Sequence, residues 1–110
     1  MECAAEEHRA SDEFSKPDEA ALDDAARLFR AISDVERLRL IVLLARGEAC
    51  VTELAAAEGV TLSTLSQRLR VLRSEDLVVR RRKGKHINYA LADQHIADLV
   101  RGVLEHVSEV

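Results

Sequence analysis

Aromatic residues, cysteine and proline are scarce in this 110-residue sequence. Aromatics make up 3% of it and tryptophan is missing, so a core must be built from Leu, Val, Ile and Ala. Two cysteines, Cys3 and Cys50, are too few for a disulfide scaffold and favour a reducing cytoplasm. No apolar run is long enough to cross a membrane, and the acidic start lacks the apolar segment of a signal peptide. The length predicts one soluble domain.

The charges are unevenly distributed along the chain, although the net charge is only −4. Residues 1–36 carry 11 acidic and 4 basic side chains, a local charge of −7, whereas residues 62–86 carry 8 basic and 2 acidic, a local charge of +6. A concentrated basic patch matters more for phosphate binding than the sum over the chain. A solvated charged face is the alternative that charge alone leaves open.

Helical periodicity and capping signals divide the first half of the chain. Residues 1–17 are polar and aperiodic and are predicted to form a flexible arm, with a single domain over residues 18–110. Asp18 is expected to cap a first helix that runs to Ile32. The stretch Ser33–Glu36 has the pattern of a capping box and is expected to open an apolar second helix, which Gly47 ends.

The second half begins with a short helix over residues 51–57 and a helix that Thr61 caps. LVVRRR and HINYAL then read as two strands joined by a turn at Gly84, and Asp93 caps a last helix to about Val107. Two helices joined by a Gly-containing turn and followed by a basic hairpin predict a winged helix-turn-helix, mostly α with a small β-hairpin.

Such a fold suits double-stranded DNA, because a helix fits the major groove, where base edges differ most. The candidate DNA contacts are the polar and basic side chains of the helix that Thr61 caps and the cations of the hairpin: Ser63, Thr64, Ser66, Gln67, Arg68, Arg70, Arg81, Arg82, Lys83 and Lys85. An ordinary solvent-facing position is the alternative for each. Because alternate strand residues face opposite ways, some hairpin cations must point away from DNA.

Three stretches resemble the ArsR/SmtB family of bacterial metal-sensing repressors: SDVERLRLIVLLARGEACVTELA, GVTLSTLSQRLRVLRSEDLVVRRRKGKHINYAL and DQHIADLVRGVLEHVSE. The match covers about residues 21–109. The resemblance implies a homodimer that pairs through its first and last helices. It also implies that the metal-free protein binds operator DNA and that metal releases it.

The family has several types of metal site, and this sequence matches their ligand patterns to different extents. The arsenic-type site needs Cys-x-Cys, but Cys50-Val51-Thr52 lacks the second thiol. The zinc-type site needs Asp-x-His followed by His-x-x-Glu or His-x-x-His on the last helix, and this chain supplies Asp93, His95, His106 and Glu109. A third type joins the N-terminal arm to the segment around Cys50, and its candidate ligands here are Cys3, His8, Cys50 and Glu53.

The spacing on the last helix decides how the zinc-type ligands can meet. His95 and His106 are eleven residues apart, so about 16 Å of helix axis separates them, on nearly the same face. One helix therefore cannot close a four-ligand site, whereas two antiparallel copies can form two symmetric sites. Two imidazoles and two carboxylates suit tetrahedral Zn(II), the expected effector, with Cd(II), Pb(II) or Co(II) as alternatives.

Other functions fit the same residues. A capping role explains Asp93 without metal, and a small buried thiol explains Cys50. A repressor that senses cadmium, lead or thiol oxidation through Cys3, His8 and Cys50 is one alternative, and a winged-helix protein–protein adaptor is another. No nucleophile–base motif or phosphate loop predicts an enzyme or a small-molecule substrate.

Overall fold

The computed structural model describes residues 15–108. Five helices and three strands follow one another as α1 (Glu19–Ile32), α2 (Val35–Ala45), β1 (Ala49–Cys50), α3 (Val51–Glu58), α4 (Leu62–Ser74), β2 (Val78–Lys83), β3 (His86–Leu91) and α5 (Gln94–Ser108). This order confirms the mostly helical winged helix-turn-helix. The predicted arm, residues 1–17, falls almost wholly outside the described residues and stays a prediction.

Short polar side chains begin the helices, as the sequence indicates. The carboxylate of Asp18 accepts a hydrogen bond from the backbone N–H of Ala21 at 2.7 Å, and the hydroxyl of Thr61 accepts one from Thr64 at 3.1 Å. These bonds satisfy backbone donors that have no partner inside a helix. Both predicted caps are confirmed.

The cap predicted at Ser33 is wrong by one residue. Asp34 caps α2, because its carboxylate accepts from the backbone N–H of Arg37 at 3.0 Å. Ser33 instead ends α1, and its hydroxyl donates to the carbonyl of Arg30 at 3.0 Å. Glu36 reaches side chains of other residues rather than closing a capping box.

The turn between α3 and α4 depends on a left-handed glycine. Gly59 has φ +68° at the end of α3, and the next backbone N–H, that of Val60, donates to the carbonyl of Ala55 at 3.1 Å. A residue with a Cβ is strained at this φ, so glycine suits the position. The turn sets the angle at which α4 leaves α3.

The strands form one antiparallel sheet in the order β1-β3-β2. The predicted hairpin is confirmed, and Gly84, with φ +62°, lies in its tight turn. Strand β1 is an addition to the prediction, since its two residues carry no periodic signal. Cys50 of β1 lies opposite Asn88 of β3.

The core is aliphatic, as the shortage of aromatics requires. Seven large side chains are fully buried: Leu40, Ile41, Leu54, Leu65, Leu69, Leu72 and Leu77. Ile96 and Val100 of α5 belong to the same cluster. Because α4 buries one leucine stripe here, its polar face is turned outward. Within residues 15–108, no helix has the length and apolar character needed to cross a membrane.

Candidate nucleic-acid interface and metal site

The outer face of α4 is polar and open to solvent. Five of its predicted DNA contacts are exposed: Ser63, Thr64, Ser66, Gln67 and Arg70. They lie on the side of α4 away from its buried leucines. The cap at Thr61 orders the first turn, where its hydroxyl also donates to the Thr64 hydroxyl at 3.0 Å. The helix thus presents short hydrogen-bonding groups from its first two turns.

Arg68 is placed differently from the other α4 candidates. Its side chain is only 20% exposed, and Nη1 lies 3.8 Å from Glu36 Oε1 at the start of α2. This nitrogen is buried and makes no hydrogen bond within the described residues. Glu36 also lies 3.5 Å from Arg39. Arg68 therefore links α4 to α2, and its contact with DNA stays a prediction.

The hairpin β2–β3 carries its cations on two faces. Arg81 and Lys83 are two residues apart and share one face, while Arg82 lies on the other and Lys85 in the turn. All four are exposed. This hairpin is the wing of the fold, and its cations lie on both of its faces, as strand alternation predicts.

A carboxylate that the sequence did not single out lies beside two of these cations. Glu48 Oε2 is 3.4 Å from Lys83 Nζ and 4.0 Å from Arg81 Nη1, and Glu48 Oε1 accepts a hydrogen bond from Asn88 Nδ2 at 3.3 Å. The Asn88 bond, helped by the positive charge of Lys83 and Arg81, lowers the pKa of Glu48, and partial burial opposes that shift. Glu48 is therefore ionised at neutral pH.

Three of the predicted zinc ligands stand at the two ends of α5: Asp93, His95 and His106. Asp93 Oδ1 lies 3.5 Å from His95 Nδ1 and accepts a hydrogen bond from the backbone N–H of Ile96 at 3.3 Å. The His95 imidazole is 93% exposed, and His106 is exposed near the other end. Glu109 lies outside the described residues. In residues 15–108 no three His, Cys, Asp or Glu side chains are grouped to hold a metal, and the four-ligand site stays a prediction.

Asp98, one turn beyond His95, is already occupied by two neighbours. Gln94 Nε2 and Arg101 Nη1 each donate to Asp98 Oδ1 at 3.0 Å. The Gln94 bond is the main cause of a lowered pKa of Asp98, and Arg101 adds to it. Asp93, rather than Asp98, is thus the carboxylate in contact with the His95 imidazole.

Cys50 stands at the start of α3, beside a second group of candidate ligands. Glu53 Oε1 accepts from the backbone N–H of Cys50 at 3.0 Å, which lowers the pKa of Glu53. Both line a cavity of about 550 Å³ with His86, which sequence reasoning left out. The register reveals it, since His86 lies two residues from Asn88, the partner of Cys50. Cys3 and His8 lie outside the described residues.

Helices α1 and α5 leave a common apolar surface in solvent. Phe29 is 54% exposed, Val103 49% and Val107 53%. Between the helices lies a groove of about 280 Å³ whose walls include Phe29, Leu99 and Leu104. An exposed apolar surface shared by two helices is typical of an interaction surface.

Comparison with known proteins decides the family. Residues 34–79 match the family described as bacterial regulatory protein, arsR family. A transcriptional repressor SmtB homolog from Synechocystis sp. is 46% identical over 97 residues, which cover 86% of this chain and 74% of that protein. The chain belongs to the arsR family. It is therefore a member of a family of transcriptional regulators and not an enzyme.

Two further comparisons extend the match of this arsR-family chain. A cadmium resistance transcriptional regulatory protein CadC homolog from Staphylococcus aureus is 34% identical over 88 residues, covering 79% of this chain and 73% of that protein. The homodimeric winged helix-turn-helix DNA-binding domain of a possible ArsR-family regulator from Mycobacterium bovis superposes with a TM-score of 0.79. It is 36% identical, and the match covers 87% of this chain and 91% of that one.

Proposed function

We propose that this protein is a metal-responsive transcriptional repressor, which binds operator DNA as a metal-free homodimer and is released by Zn(II). The observation that carries the proposal is the pairing of two surfaces in one small domain. The polar face of α4 and the basic wing suit DNA, and the ends of α5 carry imidazole and carboxylate groups. Relatives named as an SmtB repressor and a CadC regulator support the same combination. Operator binding implies a cytoplasmic protein.

The DNA-binding step follows from the charges and shape of the interface. The α4 residues Ser63, Ser66 and Gln67 are short donors and acceptors that suit base edges or phosphates in a major groove. Arg82 and Lys85 of the wing are exposed cations that suit the phosphate backbone beside it. Cations of this kind give affinity that falls steeply with salt.

The homodimer follows from the apolar surface on α1 and α5. A second copy would cover Phe29, Val103 and Val107 by twofold symmetry, removing their apolar area from water. The homodimeric relative from Mycobacterium bovis supports this arrangement. Two copies would also present two recognition helices to successive half-sites of a palindromic operator.

The same symmetry would complete the metal sites. Asp93 and His95 of one chain would meet His106 and Glu109 of the other, giving two imidazoles and two carboxylates at each site. This donor set fits Zn(II), which prefers four nitrogen and oxygen or sulfur ligands in a tetrahedron. Bound there, the ion would cross-link the two copies of α5.

Contacts between α5 and the DNA-binding elements support a route by which metal binding would reach them. The backbone N–H of Ala92, next to Asp93, donates to the carbonyl of Leu77 at the base of the wing, at 2.9 Å. Val100 packs in the same core cluster as Leu69 of α4. A change in how two α5 helices pair would therefore reach both wing and recognition helix. Such coupling is commonly worth about 1–3 kcal/mol and is reciprocal.

Fluorescence anisotropy on a labelled operator tests the proposal. The metal-free protein should bind with an affinity that falls with salt, and Zn(II) should weaken binding by roughly 5- to 150-fold. The His106→Ala variant should keep the metal-free affinity and lose the response to zinc. Wild-type affinity that zinc leaves unchanged contradicts metal sensing through α5. If no DNA binding is found at low or high salt, the alternative of a winged-helix protein–protein adaptor is favoured.

A second candidate is supported by the cavity beside Cys50. Cys50, Glu53 and His86 border it, and a thiolate there would favour soft ions such as Cd(II) or Pb(II), or would respond to oxidation. Cys3 and His8 of the arm would supply further ligands. Under this alternative Cys50→Ser abolishes the response while His106→Ala retains it, the reverse of the zinc hypothesis.

A further inference from the structure

Glu48 has a position that neither capping nor core packing explains. It precedes β1 in the connection from α2, and its side chain is 26% exposed beneath the wing. It touches three wing residues: Arg81, Lys83 and Asn88. A carboxylate therefore reaches into the element whose positive charge is expected to meet DNA phosphates.

The sheet register explains why Glu48 meets these cations and not the others. Arg81 lies directly opposite Asn88, so their side chains share one face, and Lys83 is on the same face two residues along. Arg82 faces the opposite way, and its Nε donates to the carbonyl of Gly84 at 3.4 Å. Glu48 thus engages one face of the wing only.

We propose that Glu48 is an intramolecular competitor of DNA phosphate, which restrains Arg81 and Lys83 and limits the contribution of the wing to operator affinity. The inference depends on the proposed DNA-binding function. A cation that pairs with Glu48 gains less from a phosphate, because the carboxylate must be given up or carried along. If carried along, it lies close to the phosphates and repels them.

The contacts fix the strength of the restraint. The two ion-pair distances, 3.4 Å to Lys83 and 4.0 Å to Arg81, are long, and these cation side chains are 61% and 55% exposed. Exposed pairs of this kind are weak, so DNA phosphates can replace Glu48 as the partner of these cations at modest cost. The hydrogen bond from Asn88 holds the Glu48 carboxylate beside the wing. The arrangement tunes affinity and does not block binding.

The Glu48→Gln variant tests this with little structural change, since a glutamine oxygen can still accept the Asn88 bond. Metal-free operator affinity should rise by up to about fivefold for each half-site, the range expected for an exposed ion pair. The slope of log affinity against log salt should steepen by up to about two for each protomer, as each new phosphate contact adds about 0.9. A merely structural role would not change this slope in that direction.

Glu75→Gln is the matched control. Glu75 is 27% exposed and pairs with Arg27 at 3.6 Å, so the variant removes the same charge from a similar ion pair outside the wing. It should leave affinity and slope unchanged. In an Arg81→Gln/Lys83→Gln background, Glu48→Gln should no longer steepen the salt slope and should give a smaller gain in affinity, because only direct repulsion between the carboxylate and the phosphates is then removed. A full gain in that background overturns the inference.

The outcomes separate the inference from the proposed function. Wild-type protein that binds the operator while Glu48→Gln shows the same or lower affinity overturns the inference alone. An equal gain in Glu75→Gln also overturns it, because net charge then explains the result. Wild-type protein without salt-dependent DNA binding overturns both.

Discussion

Replacing Phe29 with alanine is expected to dissociate the proposed homodimer. Phe29 projects from α1 into the apolar surface shared with α5 and is 54% exposed in the single chain. A phenylalanine buries roughly 200 Å² when fully covered, so about 100 Å² remains for a partner to cover. At about 25 cal/mol per Å², its loss removes roughly 2.5 kcal/mol per protomer and about 5 kcal/mol for a symmetric pair. The dimer dissociation constant should rise on the order of 10³- to 10⁴-fold.

Sedimentation velocity over a range of concentrations measures this change directly. Leu62→Ala is the matched control, because Leu62 is similarly exposed, at 51%, but begins α4 rather than lying on α1 or α5. Circular dichroism of both variants confirms that they are folded. A Phe29→Ala protein that dimerises as tightly as wild type refutes the assigned interface. Equal weakening by Leu62→Ala would show that the effect is not specific to it.

Three further predictions concern stability, and denaturant or thermal unfolding checks each. Asp34→Ala should lower the free energy of unfolding by about 1 kcal/mol through loss of the α2 cap, whereas Ser33→Ala should cost less; the reverse order would restore Ser33 as the cap. Leu69→Ala should cost about 2–5 kcal/mol, because the side chain is 1% exposed in the core, and a change below about 1 kcal/mol would contradict that burial. Hydrogen bonds lower the pKa of three carboxylates in the folded chain, those of Glu48, Glu53 and Asp98, so their protonation favours unfolding. Their contribution to the free energy of unfolding should be complete above about pH 4.5 and should fall as the pH drops through the lowered pKa values. A free energy of unfolding that stays constant down to about pH 3 would contradict this assignment.

Features set by neighbouring residues could be predicted from the sequence. The cap at Thr61, the glycine that ends α3 and the hairpin around Gly84 each depend on a few consecutive residues. The exchange of Ser33 for Asp34 shows the limit of that reasoning. Both are good caps in adjacent positions, and only the hydrogen bond of Ser33 to the end of α1 distinguishes them.

Features that depend on distant residues could not be predicted. Glu36 meets Arg68 and Glu48 meets Lys83 across more than thirty residues of sequence, and no local pattern indicates which carboxylate reaches which cation. Arg68 therefore resembled its exposed neighbours until its partner on α2 was known. The ends of α5 are the opposite case. Helix geometry alone places His95 and His106 near opposite ends of α5, and the structure has them there.

Mixed dimers test most directly whether zinc is shared between subunits and releases DNA. One protomer carries Asp93→Asn and His95→Ala, in which asparagine keeps the cap, and the other carries His106→Ala and Glu109→Ala. Each variant alone should form dimers that bind the operator, bind no zinc at α5 and ignore zinc. The mixed dimer regains one complete site, and should bind one zinc ion and weaken on DNA when zinc is added. A mixed dimer that binds no zinc, or either variant alone retaining the response, would contradict sites shared across the dimer.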